Sequence, residues 1–550
     1  MNNNYNNFDP YGSPVMPPYT EPPRTEAKPE PQPQPKPPKK TATARDMVFC
    51  LICLVVSIIS VDFLLFAGAG IGVSVCASLI LITSLVYLAG RGMRVSPYSV
   101  ILSLVYLALS VSLTFSDGGF PKFLALFLMA ATYTVILIHS MNLRRFEGGT
   151  YKSVGDVCYA LFALTFGKIG KTWYAVFHKK DGELVINRKT GSVFIGFAFA
   201  LPVLCVIIPL LSSSDAAFEG LINKITFERI WEIIGAIVMG AAFFLLWFGQ
   251  IFSSADIKRE KAPVRSERGG IEPTILASFL GVISLAYVLY LFSQLAYFFD
   301  AFSGLLPEGF TNAEYARRGF FEMTAICSLN LLFVFLVMVI TRRKSPKAPL
   351  SLRLLSAFLC VFSMVLIATS LSKMILYIHT YGMTRLRIFT SVFMMFLAVV
   401  FLAVMIRLFV KKMPYMKAAL VCASILVAGM CFFDVDGFIA KYNVEAYLDG
   451  RLTAVDMVAI RNLSSDAAVP YVFELLDDEN EDVVYKAKEV LSDYAEEMFI
   501  IVHDHAENKH SVKEEAYDFR RYNIHEYKAR EMLLERFEEY YMDIYFTPAY

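Results

Sequence analysis

The sequence predicts an all-α polytopic membrane protein: a bundle of about eleven transmembrane helices, a disordered N-terminal tail and a C-terminal all-helical soluble domain. The 550-residue chain is 56% hydrophobic and only 18% charged, with a mean hydropathy of +0.51, a composition typical of membrane proteins. Apolar runs of about 20 residues, the length that spans a bilayer, recur along it. The charge is also divided, because residues 434–550 carry 27 acidic and 12 basic side chains although the whole chain has a net charge of +1.

The N-terminal tail is residues 1–45, which contain half of the 24 prolines together with Asn, Gln and Lys. Such a segment cannot bury enough apolar surface to offset its conformational entropy, so we expect it to be disordered. The apolar run that follows, 47–66, is too long for a signal peptide and is predicted to be the first membrane helix.

The predicted membrane domain covers residues 46–433. Its remaining ten spans are 71–89, 99–115, 122–142, 192–211, 230–251, 273–297, 316–340, 354–377, 388–410 and 415–433. Residues 153–180 hold an uncharged apolar stretch of only about ten residues, so we expect an amphipathic helix at the membrane interface there.

The loops between these spans are alternately rich and poor in Lys and Arg. Because basic loops stay in the cytoplasm, this alternation predicts a multi-pass protein of the bacterial cell membrane with a cytoplasmic N-terminus. An odd number of spans then places the C-terminal domain, 434–550, outside the cytoplasm. One missed or extra helix would reverse that side.

The C-terminal domain shows apolar residues at spacings of three and four, which predicts helices. The stretch DAAVPYVFELLDDENEDVVYKAKEVLSDYA resembles one HEAT repeat, but a solenoid needs about three stacked repeats, so a small helical domain is the better interpretation. His503, Glu507 and His510 would share one helix face and are weak candidates for a metal site; a solvated polar face is the favoured interpretation. We expect no cofactor.

The stretch NAEYARRGFFEM (312–323) places four charges at the mouth of a predicted span. Thr311 and Glu314 form a capping box, and Glu314, Arg318 and Glu322 follow one another at i,i+4, so three of the charges are explained by a helix start. Arg317 is outside this i,i+4 series but could reach Glu314 at i,i+3; if it is not paired there, its guanidinium could bind an anionic ligand, a lipid headgroup or the acidic tail.

A second group of cationic residues lies just before the predicted span at 388–410. With the first group it defines a candidate polar outer rim: Glu314, Arg317, Arg318, Glu322, His379, Arg385 and Arg387. Since the acidic domain is expected on the same side, we hypothesise that it docks on these arginines. Asp62, Glu232 and Lys373 are the candidate intramembrane polar residues. Each is close to a span end, where side chains can reach the headgroups, although Asp62 is short and remains a candidate for a polar cavity.

Several ordered motifs resemble a bacterial family of polytopic membrane proteins catalogued as a domain of unknown function. EYARRGFFE, YGMTRLR, IAKYN and RRYNIHE carry the resemblance, which covers roughly 150–530. The family motifs run like E-Y-A-R-x-G-F-F-E, Y-G-L-T-x-L-R and I-A-R-Y-N, so Met383 and Lys441 depart from them. The resemblance implies a multi-helix membrane fold with a C-terminal appendage and supplies no activity.

The sequence favours a membrane protein without catalytic chemistry, acting in transport or envelope sensing. One alternative is a membrane enzyme or lipid-handling protein that uses the outer rim, and another is a scaffold that recruits partners through its two tails. Paired charges in mid-span, which transport would favour, are scarce. The lipid bilayer is the predicted partner; we expect no nucleic-acid binding, and the sequence identifies no protein partner.

Overall fold

A computed structural model describes most of the chain. The described residues are 43–66, 70–116, 118–143, 152–166, 227–254, 271–303, 320–341, 349–410, 413–463, 466–504, 509–513, 522–537 and 539–541, with six isolated positions between 200 and 214. This part of the protein is almost entirely helical, which confirms the all-α membrane class.

The membrane domain is built from eleven described helices. They are α1 (Ala44–Val61, continued by a π-helical turn, Asp62–Phe66), α2 (Ile71–Gly90), α3 (Pro97–Ser112), α4 (Gly119–Ser140), α5 (Lys152–Cys158, continued by a π-helical turn, Tyr159–Leu164), α6 (Phe227–Ser254), α7 (Pro273–Ser303), α8 (Phe320–Ile340), α9 (Leu350–Tyr381), α10 (Arg385–Phe409) and α11 (Tyr415–Phe432).

Nine helices of the described residues are long and apolar enough to cross a membrane. The predicted span at 99–115 corresponds to α3, an apolar helix of 16 residues. The predicted span at 192–211 lies outside the described residues apart from isolated positions. Of the predicted interfacial helix at 153–180, only the part up to residue 166 is described; it packs through Ala160 against Ile138 of α4.

Two glycines let α6 approach α1 closely. A Cβ atom on Gly240 would lie 2.6 Å from the Cα atom of Ile58, and one on Gly235 would lie 2.8 Å from the ring of Phe66. Close helix contact through small residues is the usual basis of packing in membranes, where the hydrophobic effect does not drive helices together.

The described bundle has three large cores: one formed by α1, α2, α4 and α6, and two others that α11 joins. Of these two, the first is formed by α2, α3 and α4, and the second by α7, α8, α9 and α10. Val427 and Cys431 of α11 belong to the first core, whereas Tyr415 at its other end belongs to the second. The last span is therefore packed between these two cores.

One end of the bundle carries basic residues. Asp46 at the start of α1 binds Arg91, just after α2, at 2.6 Å, and Lys417 at the start of α11 lies 4.2 Å from the centroid of the Tyr98 ring at the start of α3. The C-terminal domain lies at the opposite end, where α2 begins and α3 ends. The start of α1 and the C-terminal domain are therefore at opposite ends of the bundle.

The described residues of the C-terminal domain form five α-helices and one hairpin: α12 (Val435–Leu448), α13 (Met457–Arg461), α14 (Val469–Glu474), α15 (Glu481–Met498), β1 (Ile500–Asp504), β2 (Lys509–Lys513) and α16 (Ile524–Glu535). Its core includes Val444, Val472, Leu491 and Leu533, and the HEAT-like stretch folds as α14, an acidic turn and α15.

The hairpin corrects one prediction. β1 and β2 are antiparallel, with the Cα atom of His503 opposite that of His510, so the domain is not all-helical and these residues do not share a helix face. The β-branched residues Ile500, Ile501 and Val502 favour a strand, although the apolar spacing of the preceding helix continues through them.

Candidate functional site: the junction between bundle and C-terminal domain

The C-terminal domain meets the bundle through a group of polar contacts. We call this region the junction and define it as Thr114, Ser116, Met383 and Arg385 of the bundle with Asp436, Asn443, Tyr522, Asn523 and Ile524 of the C-terminal domain. Helix α9, which leads to it, has 32 residues and is roughly 48 Å long, longer than the roughly 30 Å hydrocarbon core. The loop after α9 therefore reaches headgroup depth or beyond.

An ion pair fixes the first turn of α12 to the first residue of α10. The Arg385 guanidinium donates from Nε to Asp436 Oδ1 at 2.7 Å and from Nη2 to Oδ2 at 2.5 Å. The Asp436 side chain is only 2% exposed, whereas that of Arg385 is 36% exposed. A buried carboxylate needs a charged, hydrogen-bonded partner, and this bidentate arrangement supplies one.

An amide side chain binds the loop next to this pair. Asn443 Oδ1 accepts from the Met383 backbone N–H at 2.6 Å, and Asn443 Nδ2 donates to the Met383 carbonyl at 2.9 Å. The preceding residue, Gly382, has a φ of +75°, and a Cβ atom there would lie 2.7 Å from Asn443 Oδ1. Glycine is thus required at this position both by the backbone conformation and by the close approach of α12.

A second amide ties the start of α16 to the end of α3. Asn523 is buried; its Nδ2 donates to the Ser116 carbonyl at 2.8 Å, and its Oδ1 caps α16 by accepting from the His525 N–H at 2.8 Å. Two backbone hydrogen bonds flank this amide: Ile71 N–H to the Tyr522 carbonyl at 3.1 Å and Ile524 N–H to the Thr114 carbonyl at 3.4 Å. The domain is therefore held at two separate points of the bundle.

Apolar contacts complete the junction. Met383, Ile388, Phe389 and Val392, along the loop and the first two turns of α10, pack against the core of the C-terminal domain. The hydrophobic core of the domain is thus continuous with one face of a membrane helix, so the domain and α10 share one packed unit.

The charges near Asp436 affect the pKa of the buried Tyr494 phenol. Burial raises the pKa of Tyr494 above its usual range, and the carboxylates of Asp466 and Asp436 raise it further, while Arg385 lowers it. The phenol therefore stays protonated at neutral pH and donates to the Ile460 carbonyl at 3.3 Å.

Two of the predicted rim residues, Arg385 and Arg387, make different contacts. Arg385 binds the domain, but Arg387 donates to the carbonyls of Tyr381, at 3.0 Å, and Gly382, and lies 4.0 Å from the centroid of the Tyr377 ring. Arg387 therefore caps the end of α9.

Two other rim residues are exposed: His379 in the last turn of α9 and Glu322 in the first turn of α8. Glu314, Arg317 and Arg318 lie outside the described residues.

The three predicted intramembrane ionisable residues, Asp62, Glu232 and Lys373, are all half-buried. Asp62 begins the π-helical turn after α1, Glu232 lies near the start of α6, and Lys373 is eight residues before the end of α9. All three are displaced toward the end of the bundle that carries the junction.

The candidate metal ligands His503 and His510 lie on a β-hairpin and not on the helix that the sequence predicts. His503 and His510 face each other across the hairpin backbone, and Glu507 lies outside the described residues. Within the described part of the chain, no group of three or more His, Cys, Asp or Glu residues is arranged to hold a metal ion.

Sequence reasoning missed a neutral polar contact inside the bundle. Asn330 of α8 is fully buried; it accepts from the Tyr287 hydroxyl of α7 at 2.7 Å and donates to the Ser363 hydroxyl of α9 at 2.9 Å. The sequence signal for this contact is the amide in the middle of the apolar stretch SLNLL, because an amide in the membrane needs partners on other helices. It links three helices.

A similar contact joins the other half of the bundle. Trp247 Nε1 of α6 donates to the Tyr133 hydroxyl of α4 at 2.8 Å and lies 3.2 Å from the Ser84 hydroxyl of α2. The polar groups that meet within the spans in these two places carry no charge.

Comparison with protein families gives one match. Residues 100–475 match the model of a domain of unknown function, DUF4153. The matched region begins in α3 and ends in the C-terminal domain, and it therefore contains both partners of the Arg385–Asp436 pair. Comparison with curated proteins and with solved structures gave no match.

Proposed function

The chain belongs to the DUF4153 family of unknown function, and on that premise we propose that this membrane protein is an envelope sensor. In this proposal the C-terminal domain receives the signal and the junction transmits it to the bundle. The single observation that carries the proposal is the buried Arg385–Asp436 pair, which joins the receiving domain directly to a membrane helix.

The pair connects elements that would have to move together. Asp436 follows α11 by four residues, and Arg385 is the first residue of α10, so a displaced domain acts on two neighbouring spans at once. A buried ion pair has few intermediate states, because separating its members exposes an uncompensated charge. Such a contact suits a two-state element whose equilibrium a stimulus shifts.

The polar groups inside the bundle favour sensing over ion-coupled transport. Coupled transporters use ionisable residues near the middle of the membrane. In the described spans, Asp62, Glu232 and Lys373 are displaced toward one end, and the contacts made by Asn330 and Trp247 are neutral. This arrangement stabilises a bundle without providing a charged pathway through it.

We further propose that the C-terminal domain faces the outside of the cell membrane. Lys417 and the Asp46–Arg91 pair lie at the end away from the junction, and basic segments favour the cytoplasm. Helix α4 finishes at that basic end, whereas α6 begins at the junction end, so the chain changes ends between them. The predicted span at 192–211 accounts for this change and keeps the total number of spans odd.

The experiment compares host cells that carry the native chain, Arg385→Gln, Lys486→Gln or no copy. Lys486 is the matched control, since its substitution removes the same charge from an exposed i,i+4 pair with Asp482 in the first turns of α15, which is not part of the junction. We expect Arg385→Gln to change the transcript profile, as deletion does, while solute uptake stays at the native level. A change in uptake with native transcript profiles in both the deletion and Arg385→Gln cells would refute the proposal.

A further inference from the structure

Two phenylalanines directly after the last membrane span are exposed. Phe433 follows α11 and its side chain is 80% exposed, and Phe438 in the first turns of α12 is 48% exposed. Large apolar side chains at such exposure are ordinary within a span, where lipid covers them. Here they belong to the segment that leads into a soluble domain, so their environment has to be identified.

Chain continuity places both residues near the ends of membrane spans. Phe433 is the first residue after α11, and only Phe433 and Asp434 separate that span from α12. Asp434 has a φ of +36°, so the chain turns sharply there and does not continue α11 outward. Asp436 is tied to Arg385, the first residue of α10, which places α12 at the level where two spans end.

Helix α12 runs across the end of the bundle. Asp436 and Asn443 are two helical turns apart, yet both bind the loop at 383–385. A helix that pointed away from the membrane would move out of reach of this loop over those two turns. α12 is therefore close to the membrane plane along its length, and Phe438 stays at the depth of the span ends.

Other aromatic rings mark the same depth. Phe432 at the end of α11 packs against Phe115 at a centroid distance of 5.3 Å, and Phe120 at the start of α4 packs against Phe389 of α10 at 5.0 Å. Aromatic side chains are enriched where the hydrocarbon core meets the headgroups. Phe433 and Phe438 belong to the same group of aromatic residues at this depth, although they lie in the segment after the last span.

We propose that the bilayer surface is a binding partner of the C-terminal domain, and that Phe433 and Phe438 insert at the boundary between headgroups and acyl chains. Lys441, one turn after Phe438, is also half-exposed; its ammonium group lies 3.7 Å from the equally exposed Glu445 carboxylate and retains further donors for lipid phosphates. The domain is then held by lipid on one side and by the junction on the other. This inference depends on the depth of α12 and not on the proposed sensing role.

The test uses the full-length chain in vesicles of phosphatidylcholine and phosphatidylglycerol. The photoreactive residue p-benzoylphenylalanine replaces Phe433, Phe438 or Tyr485 one at a time, and mass spectrometry identifies the adducts after illumination. Tyr485 is the matched control: it is an aromatic residue, 54% exposed, on a face of α15 that also carries Glu481 and Glu489. An acidic face stays in water.

We expect lipid adducts at 433 and 438 at least about ten times as abundant as at 485, since only the first two positions reach acyl chains. Equal yields at the three positions would overturn the proposal. So would cross-links from 433 or 438 to a second copy of the chain in place of lipid, because the aromatic face would then be a protein interface.

A second measurement needs no substitution. The native chain is reconstituted with a lipid that carries a photoactivatable diazirine in its acyl chain, and labelled peptides are mapped. Labelling of the peptide that contains residues 433–438, with none on the peptide that contains 481–489, is the expected result. The reverse pattern contradicts the inference even if a substituted chain fails to fold.

Discussion

Replacing Arg385 with Gln should loosen the C-terminal domain from the bundle. The change leaves the Asp436 carboxylate, which is 2% exposed, without its bidentate partner. Removing one member of a buried pair costs roughly 3–5 kcal/mol. Because Arg385 is itself 36% exposed and water screens part of its charge, we expect a smaller loss of about 2 kcal/mol.

A loss of about 2 kcal/mol corresponds to a roughly 30-fold larger population of the opened junction. The assay is limited proteolysis of the full-length protein in native-like membranes, timed by the release of fragments from the C-terminal domain. When opening is fast relative to cleavage, the cleavage rate follows the open population, so it should rise roughly 30-fold. Asp436→Asn should give a smaller increase, since the amide keeps the side-chain shape and one acceptor.

Lys486→Gln is the control for the charge change and should leave the cleavage rate within about twofold of the native value, as expected for an exposed pair. Arg387→Gln removes the cap on α9 and leaves the ion pair to the domain intact. A native cleavage rate in the Arg385→Gln protein would refute the assignment of this ion pair as the main polar contact of the junction.

Three further substitutions test packing in the bundle and at the loop. Gly240→Leu should lower the stability by about 3 kcal/mol or more, because any Cβ atom there meets the backbone of α1. Gly281→Leu is the control and should be tolerated, since nothing lies within 4 Å of its Cβ position. Equal melting temperatures of the two variants would contradict the close α1–α6 contact. Asn330→Leu should cost about 1 kcal/mol through two lost interhelical hydrogen bonds, and thermal unfolding in detergent measures it beside Leu332→Val, an exposed position that should have little effect. Gly382→Ala should cost about 1–3 kcal/mol through its backbone conformation (φ +75°, ψ −175°), and its Cβ atom would also displace Asn443; a native proteolysis rate in this variant would argue against that backbone conformation.

The spans could be predicted because they depend on one local property. An apolar run of about 20 residues has few alternatives to a membrane helix. Ten of the eleven predicted spans coincide with described helices, with the bounds shifted by a few residues where caps and loops decide the end. The Pro97 start of α3 is an example, since Ser96 caps the helix and proline fits its first turn.

The charge distribution suggested the docking hypothesis, and sequence spacing left its details open. The excess of arginine near the start of α10 and of carboxylates after α11 indicated that opposite charges would meet, but sequence spacing cannot choose between Arg385 and Arg387. Their different roles follow from helix direction and loop geometry, which put one guanidinium on Asp436 and the other on backbone carbonyls. The contacts of Asn443 and Asn523 join residues far apart in the chain, so no local sequence pattern predicts them.

The hairpin in the C-terminal domain shows where periodicity alone fails. Apolar spacing identified α15 correctly, but the run continued into Ile500, where β-branched residues change the preferred backbone. Phe499 already has extended backbone angles and ends the helix. Side-chain branching therefore decided the structure where hydrophobic spacing was ambiguous.

The central claim is that the C-terminal domain is held against the end of the bundle in the membrane. Cysteines at Ile71 and Tyr522, whose backbones share a 3.1 Å hydrogen bond, test it directly with a short bismaleimide applied to intact membranes. We predict a cross-linked peptide pair that joins positions 71 and 522, identified by mass spectrometry, in the double variant and in neither single variant. We also predict a lower yield when Arg385→Gln is added. The absence of product in a double variant whose two cysteines each react with a monofunctional maleimide would contradict the account.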